Sequence, residues 1–102
     1  MDRVPLEVVT IVAETVLEDP VTKGLLQRGA TGYTVTPTHG RGSRGIRSGD
    51  VPGESVRIEV VVDAPTSERI LGWIQESYFP NYAVIVWVTR AEVLRGEKYL
   101  ST

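Results

Sequence analysis

GATGYTVTPTHGRGSRGIRS, residues 29–48, decides how this chain is read. Its first half ends a helix candidate at Gly29 and starts a short strand, Tyr33 to Pro37, and its second half is a glycine-rich run in which Arg41, Arg44 and Arg47 recur every third residue. Seven of the chain's ten glycines fall between Gly29 and Gly53. No acidic residue occurs from Pro20 to Gly49, and Lys23, Arg28 and the three arginines give that segment +5, so the formal net charge of −2 leaves −7 for the rest. Glycine lets backbone amides approach an oxyanion closely, and arginine offers a planar fork of donors that matches phosphate oxygens. The pattern therefore fits a phosphate-holding loop, and equally a solvated basic loop on the surface.

Outward from that stretch, elements alternate. Leu6 to Ala13 (LEVVTIVA) is a β-branched run of strand length. Asp19-Pro20 reads as a helix start, with Asp19 as cap, a helix from Pro20 to Arg28 burying Val21, Leu25 and Leu26, and Gly24 marking a close helix-to-sheet contact. Thr38 to Ser55 reads as a long polar loop, and a loop of that length in a small domain is commonly functional. Val56 to Asp63 alternates cleanly: Val56, Ile58, Val60 and Val62 face a core, and Val61 interrupts the otherwise polar row of Arg57, Glu59 and Asp63. Pro65 to Phe79 is a second helix, with Ile70, Trp73, Ile74 and Ser77 or Tyr78 inward, and Tyr82 to Thr89 (YAVIVWVT) a last long strand. Ala91 to Leu94 adds a short strand or turn before the charged Arg95-Gly96-Glu97-Lys98.

The order βαβ, long loop, βαβ predicts an α+β, ferredoxin-like fold: a four-stranded antiparallel sheet with both helices on one face, in a single domain spanning 1–102. The other face then needs cover, which predicts a symmetric oligomer. Trp73 and Trp87 are expected in the core or at a subunit interface. Cysteine is absent, which removes disulfides, thiolate chemistry and cysteine metal sites. MDRVPLEVV is too short and too acidic in its apolar run for a signal peptide or membrane span, and a soluble cytoplasmic protein is expected. No metal cluster and no Gly-Lys-Ser/Thr phosphate loop is evident, and the lone His39 is expected to face solvent. Nucleic-acid binding on the sheet is disfavoured, because Arg57, Glu59 and Asp63 stand where stacking aromatics are needed.

The helix-ending GATGYTV, the run GRGSRGIRS, the strand IEVVV, and YAVIVW followed by AEVLRGE together resemble the PII-like signalling family over nearly the whole chain. Among its branches, the GxGSRxxRS pattern is most similar to the carboxysome-associated, SbtB-type proteins linked to inorganic-carbon uptake. The resemblance implies a homotrimer with an adenine nucleotide in clefts between subunits. It places Thr31 and Val61 near the adenine, and Gly40, Arg41, Gly42, Ser43, Arg44 and Arg47 around ribose and phosphate. Ala83 and Val84 match a position that contributes backbone to the cleft, and Arg95 could reach the phosphates. The lysine of classical PII proteins is missing, which favours AMP, ADP or cyclic AMP over ATP. The loop tyrosine that classical members modify is missing too, as are the paired C-terminal cysteines of many SbtB proteins. The implied partners are bicarbonate, and a bicarbonate transporter or other carbon-uptake protein read through the loop. Two other functions compete: slow nucleotide hydrolysis with Glu59 or Asp50 positioning water, and a ligand-independent trimeric adaptor similar in fold to CutA.

Overall fold

A computed structural model describes residues 2–40 and 53–100. Its elements run β1 (Arg3–Glu14), α1 (Glu18–Gln27), β2 (Thr34–Gly40), β3 (Gly53–Val62), α2 (Ala64–Ser77) and β4 (Val84–Leu94), with short 3-10 turns at Thr15–Leu17 and Gly96–Tyr99. The strands form one sheet in the order β2-β3-β1-β4, and every neighbouring pair is antiparallel. This is the predicted ferredoxin-like arrangement.

The alternation of β3 explains the layering. Val56, Ile58, Val60 and Val62 are all buried, opposite Ala13, Ile11, Val9 and Glu7 of β1. With Leu17, Val21 and Leu25 from the first half, and Ile70 and Ile74 from α2, they form the core between sheet and helices. The other sheet face carries Val8, Thr10 and Val12 of β1 and Ile85 and Trp87 of β4. Ile85 and Trp87 are 38% and 39% exposed there, an unusual placement for large apolar side chains on a face that has no helix over it.

Several local expectations change. The helix α1 begins at Glu18; its cap position is Leu17, which makes no side-chain bond, and Asp19 instead sits inside the first turn with Glu18, where a negative charge favours the helix dipole. Leu26 is exposed, not buried. Gly24 meets the ring of Trp73 on α2, so its close contact is helix to helix and not helix to sheet. Gly29 does end the first helical region, with φ 105, the left-handed conformation that glycine adopts most easily. Asp63 caps α2 by accepting the Thr66 amide at 3.0 Å, and Ser77 lies exposed at its end.

The predicted Thr38–Ser55 loop is shorter than its polarity suggested. β2 and β3 continue pairing out to Gly40 and Gly53, and the hydroxyls of Thr38 and Ser55 bond across them at 2.6 Å. β2 is an edge strand, so Pro37 removes no hydrogen bond from the sheet interior. β4 likewise runs through to Leu94, absorbing the separate strand or turn expected at Ala91 to Leu94.

Candidate nucleotide cleft

Thr31 and Val61 line one cleft of about 260 Å³, with Gly32, Tyr33, Thr34, Glu59, Lys98 and Tyr99 around them. β3 supplies Val61 and Glu59 as alternate residues on the face away from the helices, and the segment entering β2 supplies Thr31. Val61 and its neighbour Val60 are thus the aliphatic part of a wall that also carries two tyrosines, threonine hydroxyls, one carboxylate and one ammonium group. Glu59 is not free in that wall. Its Oε2 accepts from Thr10 Oγ1 at 3.3 Å and lies 3.5 Å from Arg57 Nη2, while the Arg57 guanidinium sits 5.6 Å from the centre of the Trp87 ring.

Lys98 and Tyr99 were not singled out from the sequence. They reach the cleft because Arg95 adopts a left-handed conformation, φ 57 and ψ 33, and turns the chain back over the open sheet face. Gly96 then packs so tightly on β1 that an added Cβ would lie 2.6 Å from Val4 Cβ. Arg95, the expected phosphate ligand, serves as the turn residue and is not among the residues lining this cleft. The local signal was a glycine beside a cation shortly after an apolar strand, but what that glycine touches depends on Val4 and Leu6 at the other end of the chain.

The remaining expected site residues are elsewhere. Val61 is level with Val8 on β1, whereas Val84 is level with Ala13, roughly 17 Å farther along the strand at about 3.4 Å per residue. Ala83 and Val84 are both buried, and the Ala83 amide donates to Glu14 Oε2 at 2.8 Å. Gly40 ends β2 opposite Gly53, beyond even that level. Arg41, Gly42, Ser43, Arg44 and Arg47, and with them Asp50, lie outside the described residues. One chain therefore gathers Thr31 with Val61 but does not join them to Gly40, Ala83 or Val84. A volume of 260 Å³ is also below the roughly 300–1,000 Å³ of complete small-molecule sites.

A second hollow at the root of the arginine segment is lined by Thr15, Glu18, Pro37, Thr38, His39, Glu54, Ser55 and Val56. His39 is exposed there, on β2 and opposite Glu54, not in a loop. Among the described residues no group of three or more histidine, aspartate or glutamate side chains is placed to hold a metal ion, and no helix is long and apolar enough to cross a membrane.

The nitrogen regulatory protein P-II family model matches residues 6–98. A PII-like signaling protein from Thermus thermophilus is 52% identical, with a TM-score of 0.84 over 97% of this chain and 99% of that one. CPII from Thiomonas intermedia, solved with ADP, AMP and acetate, has a TM-score of 0.85 at 22% identity over 99% of this chain and 100% of that one. The same protein, solved with ADP, AMP and bicarbonate and there described as a nitrogen regulatory PII-like protein, has a TM-score of 0.79 at 24% identity over 92% and 98%. These relatives are described as signalling and regulatory proteins. With its sheet order and a family match over almost its whole length, the chain belongs to the P-II family.

Proposed function

We propose that this protein is a PII-like sensor that works as a homotrimer and binds an adenine nucleotide between subunits. One subunit offers Thr31 and Val61 to the adenine. Its neighbour offers Gly40, Arg41, Gly42, Ser43, Arg44 and Arg47 to ribose and phosphate, with backbone at Ala83 and Val84. The observation that carries this reading is the meeting of Thr31 with the half-buried Val61 in a cleft too small to be a whole site. The exposed Ile85 and Trp87 on the open sheet face support the trimer, since a symmetric neighbour would cover them.

AMP, ADP or cyclic AMP fits better than ATP, because the lysine of classical members is missing here. The arginine segment would be the signalling element: a nucleotide can bias its conformation only by binding one arrangement more tightly than the other. CPII structures contain ADP, AMP and bicarbonate, which supports bicarbonate as a second ligand here and a role in the cytoplasm controlling a bicarbonate transporter or another carbon-uptake protein, as in the SbtB-type branch. Nucleotide hydrolysis is the weaker reading, because the Glu59 carboxylate is already engaged by Thr10 and Arg57.

The test is isothermal calorimetry against AMP, cyclic AMP, ADP and ATP, with and without bicarbonate, on the native protein and on the Arg44→Ala, Arg47→Ala double variant. The reading expects saturable binding of at least one nucleotide that the double variant loses. No binding by the native protein, or binding untouched in the variant, would sink it.

A further inference from the structure

We propose that Arg57 is a positioning residue for the cleft, holding the Glu59 carboxylate as a fixed acceptor for a hydroxyl or amino hydrogen of the bound nucleoside. The proposal rests on the nucleotide reading above and names a determinant of its selectivity. Thr34, Glu59, Thr10 and Trp87 are successive register partners on β2, β3, β1 and β4, so they form one row across the whole sheet. Partners in such a row share a face, and here it is the face away from the helices. Thr34 and Glu59 line the cleft at one end of the row, and Trp87 stands on the opposite edge strand. Arg57, two residues before Glu59 and on the same face, is not among the residues lining the cleft. Its Nη2 lies 3.5 Å from Glu59 Oε2, and its guanidinium sits 5.6 Å from the centre of the Trp87 ring, a cation seated against an aromatic two strands away.

Thr10 Oγ1 donates to the same Oε2 at 3.3 Å. Both bonds fall on one oxygen, and among the described residues none reaches Oε1. One end of the carboxylate is anchored, and the other keeps its lone pairs in the wall of the cleft. A carboxylate accepts and cannot donate, so Oε1 suits an O–H or N–H of the ligand and not a phosphate oxygen. Adenosine carries both kinds of donor, in its ribose hydroxyls and its exocyclic amine. A glutamate without an anchor gives up rotamer freedom when it takes such a donor. One that is already held gives up less, and affinity gains by the difference.

The experiment measures, by calorimetry, native protein, Arg57→Gln and Thr10→Val against three ligands: the adenine nucleotide that the native protein binds, its form without ribose hydroxyls, and its form without the exocyclic amine. Arg57→Gln should weaken the parent nucleotide by about fivefold, and Thr10→Val, which removes the other bond to Oε2, by about threefold. For the analogue that lacks the donor read by Glu59, both losses should shrink to less than about twofold, and that analogue identifies ribose or base as the source. Equal losses for all three ligands would place the effect in the fold or at the phosphates and overturn the proposal. If the native protein binds no adenine nucleotide, the sensor reading falls and this one with it. If binding is intact and Arg57→Gln matches the native protein for every ligand, only the role of Arg57 falls.

Discussion

The indole of Trp73 fills the space that a Cβ on Gly24 would occupy, so α1 and α2 meet ring against backbone. Arg28 closes the same contact from outside, its guanidinium 4.0 Å from the ring centre, and Tyr78 meets the ring edge-on at 5.5 Å. Gly24→Ala gains helix propensity worth up to about 1 kcal/mol, but it forces a bulky ring out of a packed position at a cost of roughly 1–3 kcal/mol. We expect net destabilisation of about 1–2 kcal/mol, read as a fall in unfolding temperature of roughly 4–8 °C per kcal/mol. An unchanged or higher unfolding temperature would mean that the two helices are not in this register.

Gly96 plays the corresponding part on the opposite sheet face. Gly96→Ala places a methyl group against Val4 and Leu6, and the turn must lift to accommodate it. Because that turn carries Lys98 and Tyr99 into the cleft, nucleotide affinity should fall by about tenfold while the rest of the fold stays intact. Native affinity in a folded Gly96→Ala protein would remove Lys98 and Tyr99 from the site.

The open sheet face gives a third expectation. Ile85→Glu or Trp87→Glu puts a charge where a neighbouring subunit would bury it without a partner. Sedimentation should show a folded monomer at concentrations where the native protein is a trimer. A trimer that survives both changes would place the interface elsewhere.

Tyr78 makes stability sensitive to alkali. Burial pushes its phenol pKa above the ordinary value, the positive charge of Arg28 pulls it back in part, and Tyr82 raises it further. A pKa raised in the folded state contributes stability that is complete below the unfolded pKa and is lost as pH climbs through the folded one. The native protein should therefore lose stability above about pH 10 more steeply than Tyr78→Phe, and the two should run parallel below about pH 9. Thermal unfolding from neutral to alkaline pH checks this, and parallel curves throughout would contradict it.

How much of this was legible depends on how local each signal is. The alternation from Val56 to Val62 is written in neighbouring residues, and it exposed Val61 as out of place before any fold was known. β2 and the start of β3 hid their extent, because Thr38, His39, Glu54 and Ser55 are polar as loops are, yet an edge hairpin can be polar on both faces. Asp19 looked like a helix cap because aspartate before proline fits that role, but the 3-10 turn at Thr15–Leu17 starts the helical path earlier. The cleft wall at Lys98 and Tyr99 and the bond from Glu14 to Ala83 join residues far apart in sequence. No short-range pattern encodes such pairings; they exist only once the sheet order brings β1 beside β4.

The most direct test of a cleft shared by two chains is complementation between defective subunits. Val61→Asp damages the half carrying Thr31, the Arg44→Ala, Arg47→Ala protein damages the other, and each alone should fail to bind the nucleotide that the native protein binds. Refolded together into mixed trimers at equal amounts, they should regain binding in roughly one cleft in four, those that pair an intact half from each chain. Calorimetry or a fluorescent adenine nucleotide would count those sites. Recovery near that fraction is the result this account predicts, and no recovery from trimers shown to be mixed would contradict it.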